Sequence, residues 1–143
     1  MSRQDVQLFF EDYRARFNRL DGDAIADLWH TPSAITHLAK GANHAVLTKW
    51  AEDAPMRANM HALCDAYRND GYDHADFTLE RCESMGEHHA FAVVSWTLVR
   101  ANGSLLQQFK TGYNLMRTAS GPKVILVTQF EENNENMKRH AAN

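Results

Sequence analysis

Eight histidines, two cysteines and three tryptophans are the side chains of this 143-residue chain with most chemical potential. Histidine titrates near pH 6.5, so it can take or give a proton at neutral pH without a large shift. His30, His37 and His44 recur at seven-residue steps, but the strand and loop expected between them destroy any shared helical face. No metal-ligand spacing follows, and no metal is expected. His88-His89 beside Gly86 reads as an exposed turn, since neighbouring strand residues point apart. Cys64 and Cys82 lack a closely spaced second cysteine, which argues against a zinc or dithiol site and leaves ordinary half-buried thiols. Lys49 and Lys110 could meet an anionic substrate, although both fit a solvated surface equally well. Trp29, Trp50, Trp96 and the phenylalanines could line an aromatic cavity, while most of them must also build the core. No nucleophile elbow, phosphate-binding glycine loop or dinucleotide fingerprint is present, so no cofactor is expected.

The elements that would hold these groups follow from periodicity. Val6, Phe9, Phe10, Tyr13, Phe17 and Leu20 recur at three- and four-residue steps, predicting a helix over 3–20 with one buried stripe. Asp21-Gly22-Asp23 ends it, and Asp23 can cap a second helix whose buried face is Ile25, Leu28 and Trp29. Pro32 stops that helix, and residues 34–38 read as a first strand containing His37. After the loop of residues 40–43, Ala45, Val46, Leu47 and Trp50 suggest a third helix capped by Asn43. Pro55 opens a fourth, with Met60, Leu63, Cys64 and Tyr67 as its apolar face.

The second half changes period. Ala75, Phe77 and Leu79 alternate with Asp76, Thr78 and Glu80, as on a strand with one wet face. Gly86-Glu87 turns the chain into a strand over 90–100, and Asn102-Gly103 is the strongest hairpin signal. Strands over 105–118 and 123–131 complete a meander. The expectation is one domain over 1–131 with a frayed polar tail over 132–143. Its class is α+β, with helices packed on one face of a cone-shaped, curved antiparallel sheet. Such a cone encloses a pocket.

Composition narrows the partners. Fifteen basic against eighteen acidic residues give a net charge of −3, with no basic block to meet a phosphate backbone. Nucleic acid is not an expected partner. The apolar stretches are strand-sized, well below the roughly 18–20 residues of a membrane helix, so no membrane partner is expected. The start runs straight into an amphipathic pattern, which predicts a cytoplasmic setting. Residues 91–99 carry apolar side chains on both strand faces, and the outer sheet face would then need cover, which predicts a homodimer.

The segment Tyr13-Arg14-Ala15-Arg16-Phe17-Asn18-Arg19-Leu20-Asp21-Gly22-Asp23-Ala24-Ile25-Ala26-Asp27-Leu28-Trp29 resembles the first helix, Gly/Asp turn and second helix of the nuclear-transport-factor-2-like superfamily. Its members include SnoaL-like cyclases, ketosteroid isomerases and scytalone dehydratase, and the order of elements over about 3–131 fits its cystatin-like cone. The resemblance implies fold more than function, because one scaffold hosts enzymes, transport factors and assembly modules. It puts Tyr13 where ketosteroid isomerases hold an oxyanion donor and His37 where they hold a carboxylate base. The second donor would fall at Asn114, or at Tyr113 if the register shifts by one. An imidazole in place of the carboxylate departs from steroid isomerisation, yet His37, Tyr13 and Asn114 would suit proton abstraction beside a carbonyl, or dehydration.

Three functions stay open at this level: a cofactor-free isomerase, dehydratase or cyclase, a noncatalytic binder of a small apolar or aromatic molecule, and an assembly module. Trp29, Trp50, Phe17 and Tyr113 are the expected ligand contacts.

Overall fold

The computed structural model describes residues 1–39 and 41–131; Lys40, in the expected loop, and the expected tail over 132–143 lie outside them. Helix α1 (Arg3–Asn18) starts at a capping box, in which Ser2 Oγ accepts from the Asp5 amide and the Asp5 carboxylate accepts from the Ser2 amide. These bonds satisfy amides that the first helical turn leaves open. The expected stripe is buried, with Val6, Phe9, Phe10, Tyr13 and Phe17 turned inward. Helix α2 (Gly22–Ala26) is shorter than expected, and its cap is Asp21 rather than Asp23: Asp21 Oδ1 accepts from the Ala24 amide. Leu28 and Trp29 are buried outside α2, and Trp29 already belongs to a strand.

That strand, β1 (Trp29–Leu38), runs through Pro32, where the sequence suggested a stop. Its register against β6 (Gly121–Glu131) shifts between Trp29 and Ala34. An irregularity there accommodates a residue that cannot donate to the ladder. The third helix expected over 45–50 is instead β2 (Ala45–Trp50), antiparallel to β1 with Ile35 opposite Thr48. Six residues are too few to tell the two periods apart, and pairing along β1 satisfies backbone groups that a single isolated helical turn would leave open. Helix α3 (Asp53–Asn69) begins two residues before Pro55, which still falls in the first turn where no amide is required.

Strands β3 (Tyr72–Met85), β4 (His89–Arg100), β5 (Leu105–Thr118) and β6 form the expected meander. Gly86 and Gly103 sit at positive φ in its first two turns, a conformation in which a side chain would be strained. The six strands make one curved, unclosed sheet in the order β2-β1-β6-β5-β4-β3. It is antiparallel except that β1 and β6 run parallel, a departure from the all-antiparallel expectation. The pairing arises because α3 lies between the β1–β2 hairpin and the meander, so the last strand closes against the first. Alternation sends Ala92, Val94, Trp96 and Leu98 of β4 to the inner face, where they are buried. Among the described residues no helix is long and apolar enough to cross a membrane.

Candidate functional site

Between α1, α3 and the inner sheet face lies a cavity of about 80 Å³. Its deep wall is aromatic. Tyr13 comes from α1 and Trp29 from the start of β1, while Trp96 and Tyr113 come from the adjacent strands β4 and β5. Tyr13 packs against Trp96 and Tyr113 with ring centroids 5.9 and 6.1 Å apart. Each buried indole finds a phenol: Trp29 Nε1 donates to Tyr13 OH at 3.3 Å and Trp96 Nε1 to Tyr113 OH at 2.9 Å. Leaving either N–H unpaired would cost about 1–3 kcal/mol.

Tyr13 is therefore an acceptor, and among the described residues nothing takes its own proton. Burial pushes its pKa up to about 12, because the phenolate would lose its hydration. At neutral pH Tyr13 is a hydrogen-bond donor aimed into an apolar space, not a base. Tyr67, on α3, also lines the cavity and donates to Gln107 Oε1 at 3.1 Å.

The cavity reaches solvent where exposed Asn59 and half-buried Leu63 of α3 meet half-buried Ile35, Phe109 and Gln129 of the sheet. Apart from its phenols, no residue of its wall is ionisable: the described lining contains no Asp, Glu, His, Cys, Lys or Arg. An 80 Å³ space admits two or three waters, at roughly 30 Å³ each, or a ligand of about five or six heavy atoms. Pockets for drug-sized ligands begin near 300 Å³.

The expected residues divide. Tyr13, Phe17, Trp29 and Tyr113 all line the cavity. Trp50 does not; it is half-buried with its ring edge-on to Trp29 at 6.2 Å, supporting that indole from behind. Tyr113 faces inward, so Asn114 faces outward, opposite Phe91 and Leu126, which corrects Asn114 as a pocket donor. Strict side-chain alternation is the reason. His37 shares the inner face with Ile35 but lies two residues further along β1, half-buried, with Nε2 3.1 Å from Thr48 Oγ1. It is not part of the cavity lining.

The remaining chemical candidates lie outside the cavity lining. His88 and His89 are exposed, and Lys110 pairs with Glu80 at 3.1 Å. Cys64 and Cys82 are free thiols. Among the described residues no group of three or more His, Cys, Asp or Glu side chains is placed to hold a metal ion. Sequence reasoning missed Tyr67, Phe109, Thr111 and Gln129 as lining residues. Alternation from Tyr113 reaches Thr111 and Phe109, so that signal was present, whereas nothing local marks Asn59.

A curved sheet closed by a long N-terminal helix around an aromatic hollow defines a cone-shaped α+β pocket fold. The family model described as NTF2-like protein (DUF6841) matches residues 4–132, and the chain belongs to that family. Among solved structures, it is similar to a domain of unknown function with a cystatin-like fold from Nostoc punctiforme (TM-score 0.67, 10% identity, 96% of this chain and 83% of that one). It is similar as well to an NTF-2 like protein of unknown function from Shewanella oneidensis (TM-score 0.67, 13% identity, 90% and 98% of the two chains). A ketosteroid isomerase-like protein from Erwinia carotovora atroseptica aligns with TM-score 0.58 and 12% identity, over 90% of this chain and 94% of that one. At such identities the likeness shows the fold alone. No curated protein matches the sequence.

Proposed function

We propose that this protein binds a small, uncharged, largely apolar molecule in the cavity, with the Tyr13 hydroxyl donating to an oxygen of the ligand. One observation carries the reading: the described wall is mostly aromatic and aliphatic, with the neutral Asn59, Thr111 and Gln129 but no charged side chain, and its one phenol with an unclaimed proton is held protonated by burial. A charged ligand entering such a wall would lose hydration with no counter-charge to replace it. The test follows the Met60 methyl resonance by NMR during titration with 3-methylbutan-2-one and, separately, with isobutyrate. Met60 lines the cavity and is 2% exposed, so its methyl reports occupancy. The ketone is expected to shift it saturably and isobutyrate to leave it unmoved; no saturable shift with the ketone would overturn the reading.

A second reading, cofactor-free isomerisation or dehydration of a carbonyl compound, draws on the place of His37 on the inner face just beyond Ile35, towards the open end of the cavity. Under it, His37→Gln abolishes turnover of a substrate while keeping its binding. The homodimer belongs to the same proposal. Phe91 and Val93 of β4 are half-buried on the outer sheet face, and Phe130 of β6, two strands away, is 54% exposed, apolar surface that a second copy would cover. The free thiols of Cys64 and Cys82 support a reducing, cytoplasmic setting.

A further inference from the structure

Two carboxamides line the cavity towards its open end, Asn59 from α3 and Gln129 from β6. Neither makes a hydrogen bond to the described residues, unlike the cavity phenols, each of which is engaged as donor or acceptor. Asn59 sits in the interior of α3, where asparagine is a weaker helix former than alanine and gains nothing from a local backbone bond. Gln129 shares the inner face with Val127, which is 4% exposed. Two groups that both donate and accept thus frame an otherwise apolar opening.

The described cavity lining around them carries no charged side chain, and His37, beyond Ile35 towards the same end, has Nε2 3.1 Å from Thr48 Oγ1. Arg57, two residues before Asn59 in α3, is committed to Asp27, Asp53 and Asp23. Lys110 is held by Glu80. An ionised head at this opening would find dipoles but no counter-ion, whereas an amide would find an acceptor and a donor together.

We infer that Asn59 and Gln129 read the outer end of the ligand, and that this end is a neutral amide, such as a carboxamide or a lactam, on an apolar body. This rests on the proposed binding function and names its ligand class. The amide N–H donates to one side-chain carbonyl and the amide oxygen accepts from the other carboxamide. A ketone of the same shape fills the apolar space but leaves one of the two carboxamides without its complement.

The experiment compares isobutyramide with 3-methylbutan-2-one, two six-heavy-atom probes of one shape, by the same Met60 methyl titration in the wild type, Asn59→Leu and Gln129→Met. Both substitutions lie at the cavity mouth, so the fold is retained, and the thermal midpoint of each variant checks this. The wild type is expected to bind isobutyramide about five- to tenfold more tightly than the ketone. In each variant that preference falls to about twofold or less. Equal affinities in the wild type, or a preference that survives both substitutions, overturns the assignment of the two carboxamides while leaving the binding function intact. If neither probe binds the wild type, the binding function itself fails.

Discussion

Replacing Met60 with alanine tests whether the cavity is a packed feature of the fold that α3 controls. Met60 is 2% exposed and forms part of the wall. Three heavy atoms, roughly 70 Å³ at core packing density, disappear. The cavity grows from about 80 Å³ to about 150 Å³, the size of an engineered apolar cavity that holds benzene. The void costs about 1.7 kcal/mol at 24 cal/mol per Å³, and the lost transfer of three buried groups about 2.4 kcal/mol, for about 4 kcal/mol altogether. A domain typically holds 5–15 kcal/mol, so the variant stays folded but weakened. Urea unfolding should show the midpoint falling by about 2 M at an ordinary slope. Benzene should then raise the thermal midpoint of the variant well beyond any rise in the wild type, because the enlarged space holds the ring without strain. A loss below about 1 kcal/mol, or an equal benzene response in both proteins, would show that Met60 does not wall the cavity and refute the reasoning.

Gly22→Ala should destabilise the protein: a Cβ there lies 2.8 Å from His61 Nδ1 and 3.1 Å from His61 Cα, and overpacking costs about 1–3 kcal/mol against at most about 1 kcal/mol gained in helix propensity. An unchanged or higher urea midpoint would show that α2 and α3 separate freely. The Asp23 carboxyl is held below the ordinary carboxylate range, first by its hydrogen bond from His61 and also by Arg57. A lowered folded pKa gives stability that is present above the unfolded value and lost as pH falls through the folded one. Asp23→Asn should therefore be less stable than the wild type at neutral pH, and the gap should close as pH drops below about 4; a gap independent of pH in urea titrations contradicts this. Phe130→Asp should convert a dimer to monomers in sedimentation at micromolar concentration, and a wild type already monomeric there removes the proposed interface.

The stripe of Phe9, Phe10, Tyr13 and Phe17 was legible as a helix because a 16-residue element that keeps one period leaves no competing geometry. The meander was legible for the matching reason: long alternating strands joined by Asn102-Gly103 allow few other arrangements. The resemblance carried by residues 13–29 led to the family that the match over residues 4–132 shows. Residues 45–50 could not be read alone, since six residues support either period and the unpaired edge of β1 made them a strand. Asp21 capped α2 in place of Asp23 because the helix starts at Gly22, a boundary that spacing does not resolve.

The site divides in the same way. Tyr13, Phe17 and Trp29 were within reach of sequence reasoning because one short segment carries them all. The choice between Tyr113 and Asn114 needed the register of β5, since a slip of one residue exchanges the two faces. Asn59 and Gln129 are 70 positions apart, and neither belongs to a local pattern. Only the tertiary fold brings them to one cavity, because the contacts that shape a cavity are set by distance in space and not along the chain.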